Sequence, residues 1–599
     1  MKILNTYAQL VEKLMDLRDP ISGVWTGQLS SSALSTSLAL SALESGDYKD
    51  RKLSHSGAQW LVDNVNSDGG WGDTPESPSN LSTSLIARAS LLKHKDCKGA
   101  AEALSLTSTW IMQHTCSLSL EDISGSLNSI YKKDKTFAVP ILMFLAMCSD
   151  DENEWVHVPK LPFLLALLPG WCYRFLRIEV VSYALPALIA VGVCRHIKVA
   201  SLKNKMAWGK LFAPILLHRL ERLQPEHGGF LDAAPLTAFV VLALQQCGYD
   251  NHAVVAKGCR FLRASVTKSG SWPIDSNLRI WVSSLSIRAL SERLKADPDS
   301  ARKVAQWLLL QQQLEIHPYT GAAPGGWAWT DLPGGVPDAD DTAAALIALF
   351  HMKEFTAPAP LTKAVRLGLS WIMNLQNRDG GVPTFCRGWG KLPFDKSCCD
   401  ITAHALEALV IWKFQIERKQ YIVCDDIFMR QLNAASRRMV NFLESAQDND
   451  GAWLPLWFGH QQSINKLNHI IGTARVVQCL HTFLLNAQEL NNVQRKAVSE
   501  MVEKAEIHLI KNQKPDGGWS AGNNSTVEET ALVISALIQG SPESSKAAHK
   551  GADWLVEMHT NNTIKSAPIG LYFSVLWYDE ALYPLIWSVE ALKKIKDNQ

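Results

Sequence analysis

The feature that most constrains this chain is a two-part repeat that runs through most of its length. One part is a tight turn: Asp68-Gly-Gly-Trp71, His227-Gly-Gly-Phe230, Ser269-Gly-Ser-Trp272, Gly325-Gly-Trp327, Asp379-Gly-Gly-Val382, Asp450-Gly-Ala-Trp453 and Asp516-Gly-Gly-Trp519. The other is a segment that starts near Thr36, Thr83, Thr237, Thr342, Thr402, Thr473 or Thr530 and runs on into Ala and Leu. Several turns follow a helix-like stretch ending in Gln, as at Gln376 and Gln513. A period of about 50 to 60 residues holding two helices each marks a helical array. The Gly pairs permit positive φ and close chain approach, and the Trp supplies a large apolar plate. Strand-like alternation is missing, so the expected fold is all-α, with helix pairs closing into two (α/α) barrels. An apolar region at about 136–220 interrupts the period. It predicts an N-terminal barrel over 20–272 carrying an irregular insert, and a C-terminal barrel built from 1–19 and 273–599.

Composition narrows the function. Lys+Arg 59 against Asp+Glu 58 in 599 residues leaves +1, which argues against a nucleic-acid surface. The 12 cysteines show neither a CxxC pair nor zinc-ligand spacing, so they read as small core residues in a reducing compartment. The first residues, Met1 to Thr6, lack an apolar signal core, and the apolar stretches 161–171 and 180–194 are too short to span a bilayer. Together with 210–217 they could instead dip into one leaflet. The expected setting is the cytoplasm, against a membrane.

The chemistry concentrates at Asp338-Ala-Asp340-Asp341-Thr342, where three carboxylates stand at the start of an apolar helix. Crowded carboxylates in low dielectric cannot all ionise, so one is expected to stay protonated and dry, as a proton donor. Comparing repeats sharpens this. Two residues before the Thr, the C-terminal half carries Asp340, Asp400 and Glu528, where N-terminal copies carry Leu34, Leu81 and Pro235. Acid is therefore a property of the second barrel. Glu528 reads as an exposed helix cap. His404, one turn beyond Asp400, suggests a carboxylate–imidazole relay beside the cluster.

At these residues the chain resembles the squalene-hopene cyclase family of class II terpene cyclases: the Asp-x-Asp-Asp-Thr-Ala motif at 338–343, the repeated Gln…Gly-x-Trp turns, the segment 136–142, and Asp400 to His404. The resemblance implies that the C-terminal barrel is catalytic and that the insert faces a membrane through which a polyprenyl lipid enters, at the inner face of a bacterial membrane. It implies Asp340 as donor to an alkene, Asp338 and Asp341 polarising it, and His404, held by Asp400, stabilising the carboxylate left behind. No cofactor and no metal are implied; a homodimer is compatible. Aromatic faces at Trp281, Trp329, Phe385, Trp457, Tyr572 and Phe573 would steady the cation, with Trp577 and Tyr578 as further candidates.

Departures from the family bear on substrate. Hopene-forming members carry Asp where Val282 stands, Tyr where Phe385 stands, and a polar, water-binding termination pocket where Leu38, Ile86 and Ala234 stand. The expected substrate is therefore a polyprenyl chain other than squalene, a prenylated aromatic acid (meroterpenoid chemistry) or another regular polyprene, with squalene as the alternative. Arg177, Arg387 and Lys391 are the cations available to a substrate carboxylate. Two other readings remain open on the residues: a prenyltransferase-like zinc site at Cys399, Asp400 and His404, and a non-catalytic lipid-binding barrel.

Overall fold

The computed structural model describes residues 1–131, 135–160, 163–168, 185–203, 209–318, 321–384, 395–418, 424–486, 492–571 and 576–598. Six inner helices form a closed ring in the C-terminal half: Arg279–Ala289, Ala339–His351, Cys399–Glu417, His469–Asn486, Val527–Leu537 and Tyr583–Asp597, each packed on the next and the last on the first. An outer layer covers them: Pro298–Leu310, Pro358–Leu375, Asp426–Ser445, Asn492–Lys511 and Pro542–Thr560, completed by Lys2–Asp16, which lies against both Pro542–Thr560 and Tyr583–Asp597. A second ring in the N-terminal half contains Ala33–Glu44, Leu81–Leu91, Lys135–Cys148, Leu185–Leu202 and Ala234–Gln245, and the last of these returns to the first. The only sheet among the described residues is the short hairpin of Ile569–Leu571 with Leu576–Tyr578. The fold is the all-α double barrel the repeat predicts.

The repeat is explained by hydrogen bonds. In each turn the backbone N–H of the last residue, Trp or its counterpart, donates to a hydroxyl in the first turn of an inner helix: Trp272 to Thr36 at 3.0 Å, Trp327 to Thr342 at 3.0 Å, Val382 to Thr402 at 2.8 Å, Trp453 to Thr473 at 3.0 Å and Trp519 to Thr530 at 2.9 Å. The indole N–H of each turn Trp donates to a leucine carbonyl near the end of an outer helix, as Trp453 does to Leu443 at 2.7 Å. A buried indole needs that acceptor, and its burial contributes a few kcal/mol (~1.5–3). The Gln amide spans two layers: Gln376 donates to Gly380 at 2.7 Å and to Ala435 of the next outer helix at 3.0 Å. Gly380 sits at φ +94 with Arg438's carbonyl 2.3 Å from where a Cβ would lie, so no other residue fits.

Inner helices are apolar all round because they touch neighbours on every side. Ala339–His351 packs through Ala343, Ala344 and Ala345, all buried, which lets adjacent helices approach closely. In the insert, Leu185–Leu202 is, among the described residues, the one helix long and apolar enough to cross a membrane, yet half of that stretch is buried in the barrel. Leu211 and Ile215 nearby are exposed at 73% and 59%.

Candidate active site

Asp338 caps the helix Ala339–His351, its Oδ1 accepting from the Asp341 backbone N–H at 2.8 Å. The cap turns Asp340 and Asp341 inward at the mouth of the ring, where all three carboxylates line one cavity. Asp340 is the most heavily engaged. Its Oδ1 lies 2.6 Å from His404 Nδ1 and accepts from Arg475 Nη2 at 3.0 Å, while its Oδ2 accepts from Nη2 at 3.2 Å and Nη1 at 3.3 Å. Arg475 Nη1 also reaches Asp400 Oδ2 at 3.3 Å, and the other Asp400 oxygen accepts from the Cys398 thiol at 2.6 Å. The guanidinium stands over the Phe458 ring at 5.0 Å and near the Trp281 ring at 6.0 Å.

These contacts divide the carboxyls. Burial alone would raise the Asp340 pKa, but Arg475 and then His404 outweigh it, and the pKa is lowered. Burial pushes Asp338 up to about 6. It also pushes Asp341 well above the usual carboxylate range, helped by Asp338, Asp340 and Asp275. Asp400 is raised too, burial exceeding the pull of Arg475. The crowding argument is met at Asp338 and Asp341, whereas Asp340, the residue singled out from the sequence, is held as the strongest acid of the set. Asp341 Oδ1 is buried without a hydrogen-bond partner.

Two sequence expectations need correction, and one of the open readings finds no support. His404 is not held by Asp400; it pairs with Asp340, because Arg475 comes between and takes the Asp400 carboxylate. Glu528 is not an exposed cap: it is 1% exposed, accepts from the Ala567 backbone at 2.9 Å, and burial raises its pKa to about 8. Among the described residues Cys399, Asp400 and His404 do not converge as metal ligands, since Asp400 and His404 are turned to Arg475 and Asp340.

The cavity has a volume of about 240 Å³, just under the usual range of small-molecule sites. Trp281, Trp329, Trp457 and Tyr578 line it with Phe458 and Tyr583. The Trp281 indole donates to the Tyr583 hydroxyl at 2.8 Å, and Tyr578 is bonded to both Tyr583 and Trp457. Their polar edges are thus satisfied by one another. Burial pushes the Tyr578 phenol up to about 12, so it stays neutral. Val282, Leu38, Ile86 and Ala234 are buried outside the cavity lining, the last three together in the N-terminal core. Trp577 is buried with its backbone N–H on Asp73 Oδ2 at 2.9 Å, away from the cavity lining. Phe385, Tyr572, Phe573, Arg177, Arg387 and Lys391 lie outside the described residues.

Sequence reasoning missed Arg475, Phe458, Tyr583 and Asp275. A signal for Arg475 exists: it stands two residues after Thr473, the same register in which His404 follows Thr402. Elsewhere that position holds Leu38, Leu85, Phe239, Ala344 and Leu532.

The double α/α barrel is the fold of the terpene cyclases. Over 99% of its length the chain superposes on 98% of ent-copalyl diphosphate synthase from Streptomyces platensis, with a TM-score of 0.57 at 16% identity, a likeness of fold. Residues 278–566 match the squalene-hopene cyclase C-terminal domain. Sequence relatives include a terpene cyclase–glycosyl transferase fusion protein of Humicola fuscoatra, 25% identical over 90% of this chain and 45% of that protein. Sporulenol synthase of Bacillus subtilis is 24% identical over 64% of this chain and 60% of its own, and the squalene–hopene cyclase of Alicyclobacillus acidocaldarius is 25% identical over 56% and 53%. The chain spans about half the length of the curated relatives it matches. The C-terminal barrel thus matches the squalene-hopene cyclase family, and the chain's relatives include its named members.

Proposed function

We propose that the protein protonates the terminal alkene of a linear polyprenyl chain and lets the resulting cation cyclise along the aromatic cavity. The observation that carries this is Asp340, a largely buried carboxyl gripped by Arg475 and His404 at the edge of an apolar cavity. An alkene is a feeble base and needs a strong acid in a dry site. A carboxyl whose conjugate base is already met by a guanidinium and an imidazole is such an acid. Asp341 keeps its proton in the same set, and closely coupled carboxyls titrate together, so the proton Asp340 gives up is drawn from a neighbour held neutral. The faces of Trp281, Trp329, Trp457 and Phe458 stabilise the migrating charge at roughly 0.5–2 kcal/mol each.

The substrate is a neutral polyprene. Among the described residues the cavity lining holds carboxylic acids and no Lys, Arg or His, so an anionic head group would meet acid without a counter-charge. This favours a regular polyprene over the prenylated aromatic acid. Squalene, also neutral, is the second reading. The substrate would enter from a membrane contact at the insert, where Leu211 and Ile215 are exposed, on the cytoplasmic side. Homodimerisation belongs to the same proposal.

The test is to incubate the purified chain separately with squalene, a regular C35 polyprene and a geranylgeranyl benzoate, and to analyse the products. Cyclised product from a neutral polyprene, abolished by Asp340→Asn, is expected. Cyclisation of the benzoate alone would overturn the substrate reading, and full turnover by Asp340→Asn would overturn the donor.

A further inference from the structure

On the N-terminal barrel, away from the carboxyl cluster, three side chains with metal-binding chemistry meet. His55 stands on the helix Arg51–Asp63, which covers the inner helix Ala33–Glu44. Asp96 and Cys97 belong to the loop that joins the inner helix Leu81–Leu91 to the helix Ala100–His114. Their spacing in the sequence announces nothing; the packing of one helix pair on the next brings them together. The loop is held firmly to the helix of His55. Its Lys98 carbonyl accepts from Gln59 Nε2 at 3.2 Å, and the Cys97 backbone N–H donates to the His94 carbonyl at 3.1 Å. It ends at Gly99, whose φ of +84 turns the chain into the next helix with a Val62 methyl carbon 3.1 Å from where a Cβ would lie.

Three lone pairs converge there. Cys97 Sγ is 3.5 Å from His55 Nδ1, Nδ1 is 3.7 Å from Asp96 Oδ2, and one ligand atom from each residue lies within 4.8 Å of the other two. Hydrogen bonds satisfy this set poorly. One ring nitrogen either accepts from the thiol or donates to the carboxylate, and the thiol's other acceptor, the His55 carbonyl, is 4.0 Å away. A tetrahedral cation fits it better. With metal–sulfur about 2.3 Å and metal–nitrogen or metal–oxygen about 2.0–2.1 Å, ligands of a zinc tetrahedron stand about 3.6 Å apart for S and N and about 3.3 Å apart for N and O. The observed 3.5 and 3.7 Å are close to those separations. Cys97 is 4% exposed, while the His55 and Asp96 side chains are 51% and 75% exposed. The thiol is thus anchored from inside and the other two donors approach from the water side, which leaves room for solvent as a fourth ligand. His94, on the same loop, is buried with no hydrogen-bond partner at Nε2, and Asp96 and His55 are among the charged groups acting on it.

We propose that His55, Asp96 and Cys97 bind one divalent transition-metal cation of the zinc class, with water completing a tetrahedron, and that the metal staples the helix Arg51–Asp63 to the loop 92–99. Thiolate, imidazole and carboxylate together select such a cation over magnesium or calcium, which take oxygen ligands. On binding, sulfur, nitrogen and oxygen each give a lone pair, the thiol proton leaves to solvent, and no oxidation state changes. None of the three residues lines the cavity that holds the 338–341 carboxyls, so the site stands or falls apart from the cyclase reading.

The probe is cobalt(II), titrated into the full chain after treatment with a chelator and then competed with zinc. One cobalt per chain is expected, with a sulfur-to-cobalt charge-transfer band in the near ultraviolet that zinc removes. His55→Ala and Asp96→Ala change exposed side chains, so the fold is kept. Each should weaken binding by about 100-fold or more, beyond what loss of a neighbour not touching the metal costs. Cys97→Ala should abolish the band. Cys116→Ala, which removes an exposed thiol at the far end of Ala100–His114, should keep it. A parent chain without the band, or a band that survives in Cys97→Ala or is lost in Cys116→Ala, would overturn the site. So would a smaller loss in either His55→Ala or Asp96→Ala, the mark of cobalt held by a thiol alone.

Discussion

Replacing Arg475 with Gln tests how the acid is made strong. Arg475 approaches Asp340 at 3.0, 3.2 and 3.3 Å from a buried position. A cation at that range lowers a carboxyl by about 1–3 pKa units, so its loss should raise the acid by that much. Each unit is worth about 1.4 kcal/mol between protonation states. With about half of that difference felt in the transition state for proton transfer, the barrier rises by roughly 0.7–2 kcal/mol, a slowing of about 3- to 30-fold. The sign on pH is opposite. The donor works while protonated, so a raised pKa carries the alkaline limb of kcat to higher pH, by roughly 1–3 units. The variant is expected to be slower and active over a wider range. Arg475→Lys, which keeps charge without the fork, should fall between. The assay is product formation against pH with a folded-state check at each point, because Asp400 also loses its partner and a broken buried pair costs about 3–5 kcal/mol. A rate loss with the alkaline limb unmoved would show that Arg475 acts by holding the helices and not through Asp340.

The remaining predictions concern stability. Glu528 titrates at about 8 in the folded chain, well above its unfolded value, so its contribution is favourable in acid and is lost as pH rises from about 4.5 towards 8. Glu528→Gln is therefore expected to stabilise the protein at pH 8, by up to about 4 kcal/mol, with little gain at pH 5, read by thermal or denaturant unfolding; equal effects at both pH values would refute it. Glu590 behaves oppositely: burial is outweighed by Arg288 and Lys594, its pKa falls to about 2, and the stability it confers above pH 4.5 is lost as pH drops towards that value. Glu590→Gln should flatten the acid limb of stability. Thr402→Val removes the acceptor of the Val382 N–H, leaving a buried donor unpaired, and should cost about 1–3 kcal/mol; a neutral outcome would mean that another acceptor takes it.

What could be read from the chain and what could not divides along sequence distance. The turn, the Thr and the Gln lie within one repeat and recur, so their spacing announced the barrels before any contact was known. The Asp338–Asp341 cluster was equally local. The partners that set its chemistry are remote: Arg475 lies 135 positions from Asp340, and Tyr583 lies 302 from Trp281. Helical periodicity cannot bring such residues together; only ring closure does. The Asp400–His404 pairing failed for the same reason, since a helix-face argument sees i and i+4 but not a guanidinium arriving from the neighbouring helix. Glu528 failed because a helix start was equated with solvent, while in this fold helix starts also face the hairpin segment near Ala567.

The ring has a consequence for the order in which the molecule is built. Tyr583–Asp597 seals the second ring against Arg279–Ala289, and Lys2–Asp16 lies outside it, so Lys2–Asp16 waits for a helix made several hundred residues later. Contacts of such separation are slow to form. The first ring, complete by Gln245, has no such wait and can assemble during synthesis. Tyr583 is also the hydroxyl on which the Trp281 indole rests, so the cavity wall next to the acid is finished only when Tyr583–Asp597 docks. A chain caught before that moment carries the whole carboxyl cluster and has no closed chamber around it.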